Sequence, residues 1–342
     1  MDTRDMNAAP EDHPRLHTIS VVVPVYQGAR TLPRLIDELE PLTRAQTTMG
    51  GVDFVVAEVL LVHDCGPDAS DQIIRELAES HDFVRPIWLS RNFGQHAATL
   101  AGMASTASDW IATIDEDGQH DPADMSAMLD TALRERAAVV YAAPTNKPSH
   151  GWLRNSTSAA ARWTFTKLLS SEGQPPYNSY RFMLGEIGRS VAAYSGSGIY
   201  LDVAIGWVSQ RFATQPIRLR DEGDRVSGYS LRSLASHFWK LVLTSGTRPL
   251  RLMSLVGALF ACVGFLAAIF VFVGRVSGAI DEVGWASLTT VVLVGFGLVL
   301  FSLGLVAEYV GVAARMAMGR PPFLIVSDTE QGPLGRQADA PR

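Results

Sequence analysis

Apolar and polar stretches alternate along the first half of the chain with two different periods. Residues 19–25 are a β-branched apolar run, which predicts a buried strand of a parallel sheet. Residues 31–42 place Leu32, Leu35, Ile36 and Leu39 at helical spacing. The pattern then repeats: a strand at 55–62, a helix at 70–80 with Ser70 as its cap, a strand at 84–89, a small-residue helix at 94–107, a strand at 109–114, a helix at 122–136 opened by Pro122, and a strand at 138–142. Strands separated by helices at this spacing predict an α/β fold with a mostly parallel sheet. Ligands of such sheets bind beyond the carboxyl ends of the strands. Tyr26 and Gln27, His63 and Asp64, residues 90–92 and residues 115–117 are all placed there by the pattern, so they converge on one candidate site.

Beyond residue 150 the pattern changes. A helix is expected at 152–169, then a loop at 170–180. Residues 231–242 put Leu231, Leu234, Phe238, Leu241 and Val242 on one side and Arg232, Ser233, Ser236 and Lys240 on the other, as in a helix lying in a membrane interface. Residues 252–274 and 283–307 then carry no charged side chain over 23 and 25 positions. About 20 apolar residues suffice to cross the hydrocarbon core as a helix, so the two runs predict a transmembrane hairpin.

Charge orients that hairpin. Lys240, Arg248 and Arg251 precede it, Arg315 and Arg320 follow it, and the connecting loop has Arg275 against Asp281 and Glu282. The positive-inside rule puts both flanks in the cytoplasm and the spans in the cytoplasmic membrane. The polar start has no apolar targeting segment, which keeps the domain before the spans on the same side. A net charge of −6 gives no basic field for nucleic acid. Two cysteines, Cys65 and Cys262, cannot form a disulfide scaffold and fit a reducing compartment. The expected organisation is a disordered start (1–17), a catalytic domain (18–230), an interface-helix region (231–249), a membrane hairpin (250–310) and a cytoplasmic tail (311–342), disordered from Ser327. Gly257, Gly264, Gly297 and Gly304 offer small-residue contacts through which spans of several copies could associate.

The strongest chemical signal is Asp115-Glu116-Asp117-Gly118-Gln119-His120-Asp121-Pro122, between a strand and a helix. Two carboxylates at i and i+2 in a turn can meet one cation, and hard oxygen ligands suit Mg²⁺ or Mn²⁺, which usually also bind substrate phosphates. Gln119 could add a neutral oxygen. Asp64 ends the second strand, where a carboxylate can accept a hydrogen bond from a nucleobase, and Tyr26 ends the first, where a ring could flank the base. Residues 90–96 lead into a helix whose free N–H groups favour anions. Arg181, Arg218, Arg220, Arg225 and Arg232 form a basic set on the approach to the membrane runs.

The order of P-V-Y, V-H-D-C-G-P-D, S-R-N-F-G-Q-H-A-A-x-x-A-G, D-E-D-G-Q-H-D-P, S-G-Y-S-L-R and T-R-P-L-R-L, followed by two apolar runs, resembles the inverting glycosyltransferases of family 2. It is most similar to the polyprenyl-phosphate type: dolichyl-phosphate mannose synthases, bactoprenol glucosyltransferases and undecaprenyl-phosphate aminoarabinose transferases. The resemblance implies an A-type, Rossmann-like glycosyltransferase domain with interface helices and a hairpin. It also implies a metal-dependent single displacement from a nucleotide-sugar donor onto polyprenyl phosphate at a lipid bilayer. Carried over by position, Pro24, Tyr26 and Asp64 line the nucleotide pocket. Asp115, Asp117 and Gln119 hold the metal and diphosphate. Arg181, Ser227 and the helix from Leu231 approach the acceptor phosphate.

The chain departs from that family's pattern at His63, where an acid is usual, at Gln27-Gly28 in place of Asn-Glu, and at Ser179 in place of an aspartate two residues before the arginine. After the fifth strand only Lys147, with Arg154 further on, stands where relatives often have arginines. Two other readings stay open from the sequence: the same enzyme class with another lipid or a polysaccharide as acceptor, and a catalytically silent membrane scaffold.

Overall fold

A computed structural model describes residues 16–146, 178–196, 199–220, 284–318 and 321–333, with scattered positions between 257 and 277. The chain forms two compact units: Met1–Trp152 with Gly173–Ser227 and Pro321–Arg342, and Leu153–Glu172 with Gly228–Arg320.

In the first unit the strands are β1 (His17–Val25), β2 (Gln46–Thr47), β3 (Asp53–His63), β4 (Val84–Leu89), β5 (Trp110–Thr113), β6 (Val139–Pro144), β7 (Arg181–Leu184), β8 (Phe212–Ile217) and β9 (Ile325–Val326). Its helices are α1 (Leu32–Leu39), continued by a 3₁₀ turn (Glu40–Thr43), α2 (Ser70–Ser80), α3 (Gln95–Ala104), α4 (Asp124–Glu135), α5 (Gly185–Tyr194) and α6 (Leu201–Val208). The strands make one sheet in the order β8-β6-β7-β5-β1-β3-β4-β9, with β2 beside β3. β1 pairs parallel with β3 and β5, and β3 with β4, giving the α/β centre that the alternating pattern predicts.

The period-two side-chain alternation of the central strands builds a core on each face. Ile19, Val21, Val23 and Val25 of β1, with Val59 and Leu61 of β3, pack with residues of α1, α2 and α4. Val22, Leu60 and Val62 face the opposite way and pack with α3, α5 and α6. Helix α3 comes close enough that a Cβ on Gly102 would lie 2.3 Å from a Val22 methyl carbon. The small-residue composition of α3 is what lets the backbone approach the sheet.

Three expectations are corrected. The sheet is mixed, not mostly parallel: β7 runs antiparallel between β5 and β6, and β9 runs antiparallel to β4. Ser70 begins α2 but does not cap it, since the N-cap is Ala69. The buried Ser70 hydroxyl donates to Asp68 and accepts the Gly28 N–H at 2.9 Å instead. The tail expected to be disordered from Ser327 is folded through residue 333, and at the other end His17 already belongs to β1.

In the second unit α7 (Trp285–Ala317) runs for 33 residues, past the predicted end at 307. Val294–Gly311 is apolar and long enough to cross a membrane, and the only such helix among the described residues. Phe296, Leu300, Phe301 and Leu303 along it are each more than half exposed, an apolar surface that lipid would accept and water would not. Of the 252–274 run only scattered positions are described, and those are helical. The helices expected at 152–169 and 231–242, together with Ser227, Lys147 and Arg154, lie outside the described residues.

Candidate active site

The carboxyl ends of β1, β3, β4 and β5 meet at one edge of the first unit, and their exits are tied together by side chain–backbone bonds. Glu116 is the tie from β5. Its two carboxylate oxygens accept the N–H groups of Tyr26 and Gln27, each at 3.0 Å, and so fix the exit of β1. The next two N–H groups, of Gly28 and Ala29, donate to Ser70 and Asp68 at 2.9 and 3.1 Å. Gly66 closes the seam between the β1 and β3 exits, where a Cβ would lie 1.6 Å from the Tyr26 carbonyl oxygen.

Asp64 is the tie from β3. It is 3% exposed, and its two oxygens accept the N–H groups of Phe93 and Gly94 at 2.7 Å each. Burial raises its pKa, while those two N–H groups and the Arg91 charge pull it down. Asp64 is expected at a nucleobase; in the structure both of its oxygens accept these N–H groups. Its carboxylate is inside, shaping the β4–α3 loop. Pro24 is likewise buried in β1, opposite Val62, and Tyr26 is the member of that expected trio that reaches the surface, at 43% exposure.

The acidic turn follows β5. Asp115 accepts the Gln95 side-chain amide at 2.6 Å, and the Ser179 hydroxyl donates to its other oxygen. Asp117 accepts the N–H of Gln119 at 3.0 Å, across Gly118, whose φ of +77° is the left-handed conformation glycine tolerates. His120 lies buried behind the turn, its ring centroid 5.0 Å from that of Tyr180. Burial lowers the His120 pKa, while the charges of Asp115 and Asp117 raise it and that of Arg181 lowers it, so both carboxylates lie within electrostatic reach of one imidazole. Tyr180 in turn donates its hydroxyl to the Asp121 carbonyl at 3.1 Å.

Strand β7 is not marked by the sequence pattern, although Ser179 and Arg181 stand out singly in it. Running antiparallel to β5, with Arg181 opposite Thr113, it delivers residues 178–181 to the same sheet edge as the acidic turn. Ser179 thereby reaches Asp115. Arg181, expected at an acceptor phosphate, is placed otherwise. It is 4% exposed, its Nε and Nη2 donate to Asp202 at 2.6 and 2.8 Å, and its Nη1 donates to the Ser179 carbonyl at 2.9 Å. Burial disfavours its charge, but the Asp202 carboxylate outweighs that and holds the guanidinium protonated. Its physical role here is to anchor β7 beneath the site. His96, second residue of α3, packs its ring against Tyr200 with centroids 4.3 Å apart.

On the far side of the turn a cleft of about 390 Å³ is lined by Asp121, Asp124, Asn146, Arg218, Leu219 and Arg220. Arg220 spans it: the guanidinium pairs with Glu38 at 2.6 Å and Asp121 at 2.7 Å, and its backbone N–H donates to the Gln119 carbonyl at 2.9 Å.

The donor set of the turn fits a hard divalent ion, since Asp115, Asp117 and Gln119 offer only oxygen. Among the described residues no group of three or more His, Cys, Asp or Glu forms a protein-only cage.

Comparison with known proteins accords with this geometry. The model of Glycosyl transferase family 2 matches residues 20–191, and that of the GtrB C-terminal hairpin matches residues 248–313. The undecaprenyl-phosphate 4-deoxy-4-formamido-L-arabinose transferase of Pseudomonas paraeruginosa is 31% identical over 318 residues, covering 90% of this chain and 89% of that one. The bactoprenol glucosyl transferase of Shigella phage SfX is 26% identical over 323 residues, covering 90% and 99%. A solved structure of glucosyl-3-phosphoglycerate synthase from Mycobacterium tuberculosis is 20% identical over 68% of this chain and 79% of that one, with a TM-score of 0.47, a likeness too distant to carry weight. The fold is a Rossmann-like α/β domain of the A type with a mixed sheet, and the chain belongs to glycosyl transferase family 2.

Proposed function

We propose that this glycosyltransferase moves a sugar from a nucleotide-sugar onto polyprenyl (undecaprenyl) phosphate at the cytoplasmic face of the membrane, with inversion at the anomeric carbon. The observation that carries the reading is the acidic turn at the strand ends, with Asp115 held from two sides by Gln95 and Ser179. The acceptor class is supported by the names of the relatives above, which this chain matches over nearly its full length.

Asp115, Asp117 and Gln119 would hold Mg²⁺ or Mn²⁺. Such an ion, when bound, neutralises charge developing on a departing diphosphate. Gln95 and Ser179 orient the Asp115 carboxylate, and Glu116 holds the β1 exit so that Tyr26 flanks the nucleotide. The acceptor phosphate oxygen attacks the anomeric carbon as the bond to the nucleoside diphosphate breaks on the opposite face. A phosphate is ionised at neutral pH, so it needs positioning rather than a base. A neutral hydroxyl acceptor would need one, and the group beside Asp115 from β7 is the non-basic hydroxyl of Ser179, which favours the phosphate over a hydroxyl acceptor. Ser227 and the segment from residue 231 would face that phosphate.

Membrane attachment is supported by α7, by the match to a hairpin family over 248–313, and by chain connectivity. Residues 321–333 fold onto the same sheet as residues 16–146, so a chain that crosses a bilayer between them would do so an even number of times. Two spans, 252–274 and 283–307 by sequence, satisfy that.

The test is a donor screen. Full-length protein in detergent, with Mn²⁺ or Mg²⁺ and undecaprenyl phosphate, is offered a panel of nucleotide-sugars, and nucleoside diphosphate release and lipid mass are both read. The expected product is a lipid phosphate carrying one sugar, absent with Asp117→Ala. Nucleotide release with no lipid product would move the acceptor elsewhere. Binding of donor without any turnover would favour the scaffold.

A further inference from the structure

The segment after α7 is built into the catalytic sheet. Val326 and Ile325 pair with Trp88 and Leu89 at the outer edge of β4. The Leu324 carbonyl accepts the Ser90 N–H at 3.0 Å, and Phe323 packs against the core cluster that contains Ile87, Leu89 and Ala98. A polar lock closes the arrangement. Arg75 of α2 donates from Nε and Nη2 to the two oxygens of Asp328 at 2.7 and 3.0 Å, and its Nη1 pairs with Glu330 at 2.9 Å. The same guanidinium lies 5.0 Å above the Trp88 ring, and both ends of the Arg75–Asp328 pair are about nine-tenths buried. A bidentate, partly desolvated pair with an aromatic beneath it is far more rigid than a surface ion pair.

What this lock holds is the start of the β4–α3 loop. Ser90 is fixed by Leu324. Three and four residues on, Phe93 and Gly94 donate to Asp64, and the next residue, Gln95, donates to Asp115. One short loop therefore connects the tail clasp to the acidic turn.

We propose that residues 323–330 are a positioning clasp for the donor site, with Arg75 and Asp328 as positioning residues that set the Ser90–Gln95 loop against Asp115. The proposal rests on the reading of the acidic turn as the donor site. The clasp has the further consequence that the chain returning from the membrane holds the nucleotide end of the enzyme, so that donor binding depends on a segment far from it in sequence.

The experiment compares full-length wild type, Asp328→Ala, Asp328→Glu and Arg75→Ala in the donor assay, alongside thermal unfolding. Losing an interaction worth one or two kcal/mol corresponds to a roughly five- to thirtyfold change, expected here as a rise in donor KM with kcat and acceptor KM nearly unchanged. Asp328→Glu should recover most of it. Donor KM unchanged in both alanine variants would overturn the proposal, whatever happens to the melting temperature. Should those variants fail to fold, hydrogen exchange on wild type decides: nucleoside diphosphate with Mn²⁺ should slow exchange in 323–330 together with 90–95, and protection confined to 90–95 would overturn it. Wild-type turnover that disappears with Asp117→Ala keeps the donor-site reading whichever way the clasp result falls.

Discussion

Arg181 and Asp202 meet as a buried fork, with Nε and Nη2 of the arginine on the two carboxylate oxygens at 2.6 and 2.8 Å, and the Tyr141 hydroxyl adds a third bond to Asp202 at 3.1 Å. The pair links β7, which carries Ser179 toward the acidic turn, to α6 and β6. Removing one partner leaves an uncompensated buried charge, whereas replacing both with apolar groups of similar volume is often neutral. Asp202→Ala is therefore expected to destabilise the domain by about 3–5 kcal/mol, read by denaturant unfolding. The double variant Arg181→Met/Asp202→Leu should regain most of that loss. A fully stable Asp202→Ala protein would mean that the fork does not anchor β7.

The acidic turn makes a graded prediction. Asp115→Asn and Asp117→Ala each remove a carboxylate proposed to hold the ion, and a fall in kcat of about 10²–10³-fold is expected for loss of one electrostatic stabiliser. Ser179→Ala and Gln95→Ala leave the carboxylate and remove one hydrogen bond to it, which at about 1.5 kcal/mol for a charged acceptor is roughly tenfold. Nucleoside diphosphate release across a Mn²⁺ titration separates the two classes. The outer variants should need more metal and then recover, and the aspartate variants should not. If Ser179→Ala were as inactive as Asp115→Asn, the serine would have a chemical role beyond orientation.

Glu116 sits between the two aspartates but faces the other way, gathering the Tyr26 and Gln27 N–H groups. Glu116→Gln offers one acceptor where two are needed and turns an amide donor toward a backbone donor. The expected outcome is a donor KM raised by roughly tenfold with metal dependence unchanged. A shift in the metal titration instead would place Glu116 among the ligands.

The central layer of this fold could be read from the chain because its signals are local. β1 is a β-branched run and α2 has clean helical spacing, and both lie where the pattern puts them. The acidic turn was legible for the same reason, as charge placed directly after an apolar strand. What the sequence concealed depends on partners distant along the chain. Gln95 and Ser179 reach Asp115 from 20 and 64 residues away, and no spacing rule marks either. β7 has four residues, one of them an arginine that can be buried only because Asp202 comes back 21 positions later to meet it. The tail read as disordered because its composition is polar. Its signal was the short apolar stretch Phe323 to Val326, too brief to count as a strand until β4 offers an open edge.

His63 gives a pH prediction whose sign can be worked out. It ends β3 buried, its ring edge-on to Trp88 at 5.3 Å, and its Nε2 has no hydrogen-bond partner among the described residues. Burial lowers its pKa from 6.5, the charges of Asp71, Asp68 and Asp328 raise it and that of Arg75 lowers it, and the net direction is down. The unfolded chain therefore takes up a proton at higher pH than the folded one. The stability associated with this group is fully present above about 6.5 and is lost as pH falls toward the depressed folded value. His120 is displaced in the same direction, so the wild-type profile contains both. The difference between wild type and His63→Phe isolates one of them, because phenylalanine keeps the ring contact and cannot protonate. Melting temperatures followed from pH 8 to about 5, below the usual histidine pKa, should show the wild type losing stability faster than His63→Phe. Parallel curves would mean that His63 finds a proton-accepting partner in the folded protein, most directly one of the Asp68 and Asp71 carboxylates beside it.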